Sequence, residues 1–262
     1  MIIPLIVSSI VILATLAYSS ILDIRDRRVP FPTWYPMLAV GIPMAIWFYT
    51  SLFFEGSLAP VLYFLLLTGL FSVIFYCFAY FRLFGGADAW ALIFLAICLP
   101  TFPFEPIGGY PPLGFVPFTV LVNAVVMNLF TPLGIYILNL AGGNQAPFPY
   151  RFLGFPVDGT SIEKSFGFVM EDIHEENGMI TRRFFTIREA LGGIISGEGR
   201  VYTKDLRRFP EKFERELYLY RKSGKVWISY GVPFIVPIAI GTGLALVFGD
   251  IIFILMRILT GG

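Results

Sequence analysis

Charge is scarce in this chain of 262 residues: Asp, Glu, Lys and Arg together make up 14% of it, against about 25% in soluble globular domains. The net charge is only +1, so nothing in the overall balance points to nucleic acid or to an acidic partner. Histidine occurs once, as His174, and cysteine twice, as Cys77 and Cys98, both inside apolar runs and without CxxC spacing. That set offers no metal-ligand cluster and no disulfide framework, and no cofactor is implied. The cysteines read as small buried hydrophobes and His174 as a surface residue. Internal repeats and low-complexity tracts are also missing. The amino terminus has no basic stretch ahead of its apolar run, which is too long for a signal peptide; it is expected to remain as a spanning helix.

What the chain does have is apolar residues, 56% of the total, with a mean hydropathy of +0.76. They fall in long runs, and a bilayer crossing needs about 20 such residues. Six runs qualify as candidate spans: Ile2–Ile21, Tyr35–Phe54, Leu58–Phe81, Asp88–Phe102, Gly114–Leu140 and Tyr230–Leu259. Pro100 and Pro103 stop the fourth, Pro132 predicts a kink in the fifth, and Pro233 and Pro237 predict kinks or a broken start in the sixth. The loop DIRDRRVP after the first run, Arg82 after the third and the long segment after the fifth hold nearly all the Lys and Arg outside the spans. The connections after the second and fourth runs carry Glu55 and Glu105 but no basic residue. The positive-inside rule then puts the basic loops in the cytoplasm and the amino terminus outside. Arg257, on the other side, is expected to snorkel to the headgroups.

The one hydrophilic insert runs from about Ala141 to about Lys225. It opens with a Gly/Pro-rich stretch and continues with SIEKSFGFVMEDIHEENG, an acidic piece compatible with helix. MITRRFFTIRE and GRVYTKDL then suggest strands, and KFERELYLYRKSG reads as a charged helical or extended end. The fold class expected is an α-helical polytopic membrane protein of about six transmembrane helices, with a small α+β cytoplasmic domain inserted before the last helix. The domain boundaries expected are 1–140 for the first five helices, 141–227 for the soluble domain and 228–262 for the last helix.

Acids at the edge of spans are costly and therefore candidates for function. Asp23 closes the first run, which descends to the inside, and Asp88 opens the fourth, which rises from it. Both carboxylates are thus expected at one face of the bundle, on different helices. Asp88 follows Gly85-Gly86-Ala87, small residues that let a helix or an extended peptide come close. Taken singly, Asp88 could be an ordinary helix cap and Asp23 a partner of Arg25 or Arg27. Taken as a pair, two carboxylates in one confined site share a proton and can hydrolyse a peptide with neither metal nor covalent intermediate.

Those residues carry a resemblance. The chain resembles the archaeal preflagellin and prepilin peptidases, of the GxGD class of membrane aspartyl proteases. Ser20-Ile21-Leu22-Asp23-Ile24-Arg25-Asp26-Arg27-Arg28-Val29-Pro30 is similar to the family's first-aspartate segment. Gly85-Gly86-Ala87-Asp88 stands at the GxGD position, and VWISYGVPFIVPIAIG resembles the start of the last helix. Ala87 replaces the second motif glycine, which would be costly if that position needed a positive φ. The resemblance implies that Asp23 and Asp88 are the catalytic pair, with Asp26 a neighbour that tunes them or forms a salt bridge. It implies type IV pilin-like precursors, including preflagellins, as protein partners, cut on the cytoplasmic side just before a hydrophobic helix. The Pro-Ala-Leu signature of presenilin-like members does not occur here, and the absence of the four-cysteine zinc loop of many bacterial prepilin peptidases implies proteolysis without methyl transfer. Within the insert, Glu171, Asp172, Glu175 and Glu176 are candidates to attract a basic leader, or else form a solvated helix face. The alternative from another class is a small cation- or proton-coupled transporter using the same two aspartates.

Overall fold

The computed structural model describes residues 2–56, 58–81, 84–176, 178–186, 189, 201–231 and 233–260. Arg82 and the Gly199–Arg200 start of the last strand-like stretch lie outside these. The chain divides into two compact units, Met1–Leu129 with Pro233–Gly262, and Phe130–Val232.

The first unit is helical. Helix α1 (Ile2–Asp26) runs five residues past the expected end and takes in Asp23. A 3-10 turn over Phe31–Trp34 leads into α2 (Tyr35–Phe54), which is followed by α3 (Leu58–Tyr80), α4 (Gly86–Cys98) and α5 (Val116–Leu129). The unit is completed by α10 (Ile235–Phe248) and α11 (Ile251–Thr260). The protein is a polytopic membrane protein: Ile2–Asp26, Phe31–Phe54, Leu58–Tyr80 and Val116–Ala141 are long and apolar enough to cross a bilayer, and the bent pair α10 and α11 brings the total to five. The expected fourth span is the difference. At 13 residues and 1.5 Å per residue, α4 covers about 20 Å of a hydrocarbon layer roughly 30 Å thick. It ends ahead of Pro100, and the irregular chain beyond it is buried at Leu99, Phe102 and Phe115 and exposed at Phe104, Ile107 and Tyr110.

Close packing in this unit relies on small side chains. The buried face of α1 carries Ser8, Ser9, Thr15, Ser19 and Ser20 among Leu5, Ile12 and Leu16. Ser9, Ser19 and Ser20 donate their hydroxyls to carbonyls four residues back, each at 2.8 Å, so no buried hydroxyl of the three is left open. Gly41 of α2 lies so close to Cys98 of α4 that a methyl there would overlap its side chain. Cys98 is therefore a packing residue, fully buried.

The last helix breaks where the prolines did not predict. Pro233 precedes α10 and Pro237 falls in its first turn, where a missing N–H costs nothing. The break is at Gly249, whose φ of 91° suits glycine alone, and α11 turns away by 47°. Asn123, buried in α5, bridges the break: its Nδ2 donates to the Gly249 carbonyl at 2.9 Å and its Oδ1 accepts the Ile251 N–H at 3.0 Å. Asp250 caps α11 by accepting the Phe253 N–H at 3.0 Å. Asn123→Ala is expected to leave both backbone groups unpaired and to cost about 1–3 kcal/mol, read as a lower thermal midpoint in detergent. A midpoint equal to that of the unaltered chain would contradict the bridging role.

The second unit is a small α+β assembly. It comprises α6 (Thr131–Ala141), α7 (Tyr150–Leu153), β1 (Gly154–Asp158), β2 (Glu171–Glu176), β3 (Met179–Phe184), α8 (Thr203–Arg208), α9 (Glu214–Ser223) and β4 (Lys225–Ser229). β1 pairs antiparallel with β4, Gly154 opposite Ser229, and β2 with β3, Glu171 opposite Phe184. Ile162, Val169, Ile173, Leu206, Leu217, Val226 and Ile228 form its core. Two local expectations are corrected. The acidic EDIHEE piece is a strand, because Glu171 and Ile173 turn inward on alternate positions. TKDL belongs to a helix, and Tyr202 keeps only an isolated bridge to Phe168. β4 went unrecognised, since KVWIS reads as the approach to the last span.

Asn139 ties α6 to this unit's sheet. Its Nδ2 donates to the carbonyls of Arg151 at 2.9 Å and Gly154 at 2.7 Å, and its Oδ1 accepts from Asn144 at 3.2 Å.

Candidate active site

Asp23 lies in the last turns of α1 and Asp88 at the third position of α4; both are half-buried. The structure brings the two carboxylates close enough to act on each other electrostatically. Arg27 adds its charge beside Asp23, and the backbone N–H of Ile235, at the first turn of α10, faces the Asp23 carboxylate. Three elements distant in sequence therefore converge, and α10 presents the positive end of its dipole to the pair. Arg27 itself ends α1: its N–H returns to the Asp23 carbonyl at 3.1 Å with a φ of 50°. Among the described residues it is the one non-glycine with a positive φ.

The residues before Asp88 have separate roles. Gly85 is the N-cap of α4, extended at φ −62° and ψ 134°. The Asp88 carboxylate folds back over it, so that a Cβ on residue 85 would overlap Asp88 Oδ2. Gly86 opens the helix with nothing near the position of an added methyl. Ala87 is helical and has no positive φ, so alanine stands in that place without strain. Asp26 is exposed and only loosely paired with Arg25, at 3.9 Å.

Aromatic rings cluster along α4 and just ahead of it. Trp90 stacks on Phe94 at 5.1 Å, and Phe31 sets its edge against both, at 5.6 and 5.9 Å. On the other side Phe84 meets Phe234 edge to face at 5.2 Å. Ile235 and Phe234 were not singled out by sequence reasoning, though both lie in the VPFIVP segment at the start of the last helix.

The four acids of the insert do not form a single face. Glu171 is buried and held by Arg182 Nη2 at 2.9 and 2.7 Å, and its Oε2 also accepts the Trp227 N–H at 2.8 Å. Glu175 holds Lys222 at 2.6 Å. Asp172 holds His174 at 2.7 Å and lies 3.7 Å from Arg183. Glu176 is exposed at the strand's end. Truncating Arg182 would strand the buried Glu171 carboxylate; Arg182→Ala is expected to destabilise the chain by about 2–3 kcal/mol, measured by denaturant midpoint. An unchanged midpoint would mean that Arg182 is dispensable.

Among the described residues no group of three or more His, Cys, Asp or Glu is arranged to hold a metal ion. Two family models match the chain: the Type IV leader peptidase family over residues 10–133, and the Archaeal Peptidase A24 C-terminus Type II over residues 146–251. The first match contains both Asp23 and Asp88; the second runs through the insert and α10. The chain is also similar to the preflagellin peptidase of Methanococcus voltae, with 23% identity over 247 residues, 90% of this chain and 92% of that protein.

Proposed function

The chain belongs to the type IV leader peptidase family and is a membrane protease, and we propose that it removes the leader of preflagellin and related type IV pilin-like precursors with Asp23 and Asp88 as an aspartyl dyad. The observation that supports this reading is that two carboxylates, from α1 and α4, lie at helix ends within electrostatic reach of each other. One carboxylate takes a proton from water, and the resulting hydroxide attacks the scissile carbonyl carbon. The other carboxyl donates its proton to the carbonyl oxygen, giving a tetrahedral gem-diol. The carboxyl that took the proton from water then gives it to the leaving nitrogen while one gem-diol hydroxyl returns its proton to the other carboxylate, so the C–N bond breaks to acid and amine and the pair is again singly protonated. The proton belongs to the pair, and neither aspartate is given a fixed role.

Cleavage takes place at the cytoplasmic face of the cell membrane, with the amino terminus outside. The distribution of Lys and Arg among the loops supports that sidedness, and a site at helix ends suits a scissile bond next to a hydrophobic helix. Incubating the purified chain with a preflagellin tests the reading: mass spectrometry should find one cut that shortens the precursor by its leader. A precursor left whole would contradict it. The rate is expected to fall at alkaline pH, where the pair loses its shared proton and no acid remains for the carbonyl oxygen. A rate that stays level well above neutral pH would rule out a shared-proton mechanism.

A further inference from the structure

A cavity of about 300 Å³ opens between β2 and α9 of the second unit, lined by Glu171, Asp172, His174, Arg215, Glu216 and Tyr220 among apolar neighbours. Tyr220 is 5% exposed, and its side chain lines the cavity without a hydrogen bond to any described residue. Buried phenols ordinarily find a partner. Burial, then the charges of Glu216 and Asp172, push the hydroxyl's pKa above its ordinary value, so it stays neutral and its oxygen can accept. Glu216 is half-buried and forms no ion pair with a described residue. Asp172 has one oxygen on His174 at 2.7 Å. Its other faces Arg183 at 3.7 Å, beyond hydrogen-bond reach, and that arginine is already held by Glu189 at 3.0 Å.

The Glu216 carboxylate and the neutral Tyr220 phenol oxygen are two acceptors in search of donors around one hollow, and the Asp172 carboxylate, already paired with His174 and Arg183, adds its charge beside them. An ammonium brings three N–H donors and a guanidinium five, and either would neutralise the pair of charges. We propose that this cavity is a binding site for a lysine or arginine side chain of a peptide, held by Asp172, Glu216 and the Tyr220 hydroxyl. Arg215, which is exposed, and His174 stand at the rim, where a bulkier cation would meet repulsion. The acids around this sheet thus differ in use: Glu171 and Glu175 are closed off by Arg182 and Lys222, Asp172 is shared between His174 and Arg183, and Glu216 of α9 has no ion pair with a described residue. That the basic side chain belongs to a precursor about to be cut rests on the proposed function; the binding itself does not.

The test uses the full chain carrying Asp88→Asn, in a non-ionic detergent, and a fluorescent acetyl-Lys-Lys-amide probe followed by anisotropy. Binding is expected, weakened about tenfold by Glu216→Gln and about threefold by Tyr220→Phe, and unchanged by Glu214→Gln, whose carboxylate lies outside the cavity. Thermal midpoints of the variants verify that folding is intact. No binding, equal binding in Glu214→Gln and Glu216→Gln, or tighter binding of acetyl-Glu-Glu-amide would overturn the proposal. Because the probe is never cleaved, loss of binding with intact precursor cleavage sinks the cavity alone. Binding in a chain that cuts no precursor sinks the protease reading alone.

Discussion

Asparagine in place of either aspartate is expected to lower precursor cleavage at least about 1,000-fold while the protein remains folded and monodisperse. The exchange keeps shape and removes only the ability to carry a proton between water and the scissile group. In the proposed dyad Asp23 and Asp88 work on one reaction coordinate, so losing one should cost nearly as much as losing both. Asp23→Asn, Asp88→Asn and the double variant should therefore have indistinguishable residual rates. Cleavage within tenfold of the unaltered chain in either single variant would remove that residue from the chemistry. Asp26→Asn supplies the contrast: its side chain is exposed and bound loosely to Arg25, and its rate should stay within about threefold.

The second large effect concerns a residue without a functional group. A methyl on residue 85 would overlap Asp88 Oδ2, so Gly85→Ala must push the carboxylate off its position above the N-terminus of α4. Displacements of about 1 Å at a reacting group cost on the order of 100-fold in rate, and that loss is expected here with little change in stability, since an extended N-cap at φ −62° suits alanine. Gly86→Ala, with open space around the added carbon, should leave the rate within about threefold. Equal rates for the two alanine variants would show that the fold-back of Asp88 over Gly85 is not used.

The sequence carried the main features of this site because bilayer physics makes them loud. Apolar runs, a few acids at their edges and asymmetric basic loops mark Asp23 and Asp88 without any tertiary information. The distinction between Gly85, Gly86 and Ala87 was hidden, since it depends on how one carboxylate folds back over its own helix. The break in the last span was expected at its prolines and occurs at Gly249, where Asn123, over a hundred residues earlier in the chain, accommodates it. Local propensity misled in the insert too: Glu-rich EDIHEE favours helix by itself, and pairing with Arg182 and the β3 backbone makes it a strand. For the same reason the acidic run could be read as one surface, when Glu171 is tied to Arg182, Glu175 to Lys222, and Asp172 borders a cavity shared with Glu216 from another element.

The most direct trial of the central claim requires no substrate. In a chain whose native cysteines are replaced (Cys77→Ser, Cys98→Ala), cysteines at positions 23 and 88 should form a disulfide on mild oxidation in native membranes. The cross-link would be seen as a shift in mobility after cutting the chain between them. Such a bond requires Cβ atoms about 3.5–4.5 Å apart, and thermal motion of α1 against α4 allows that approach if the two side chains share a site. Free thiols that each react with a maleimide yet never join under oxidation would contradict the dyad.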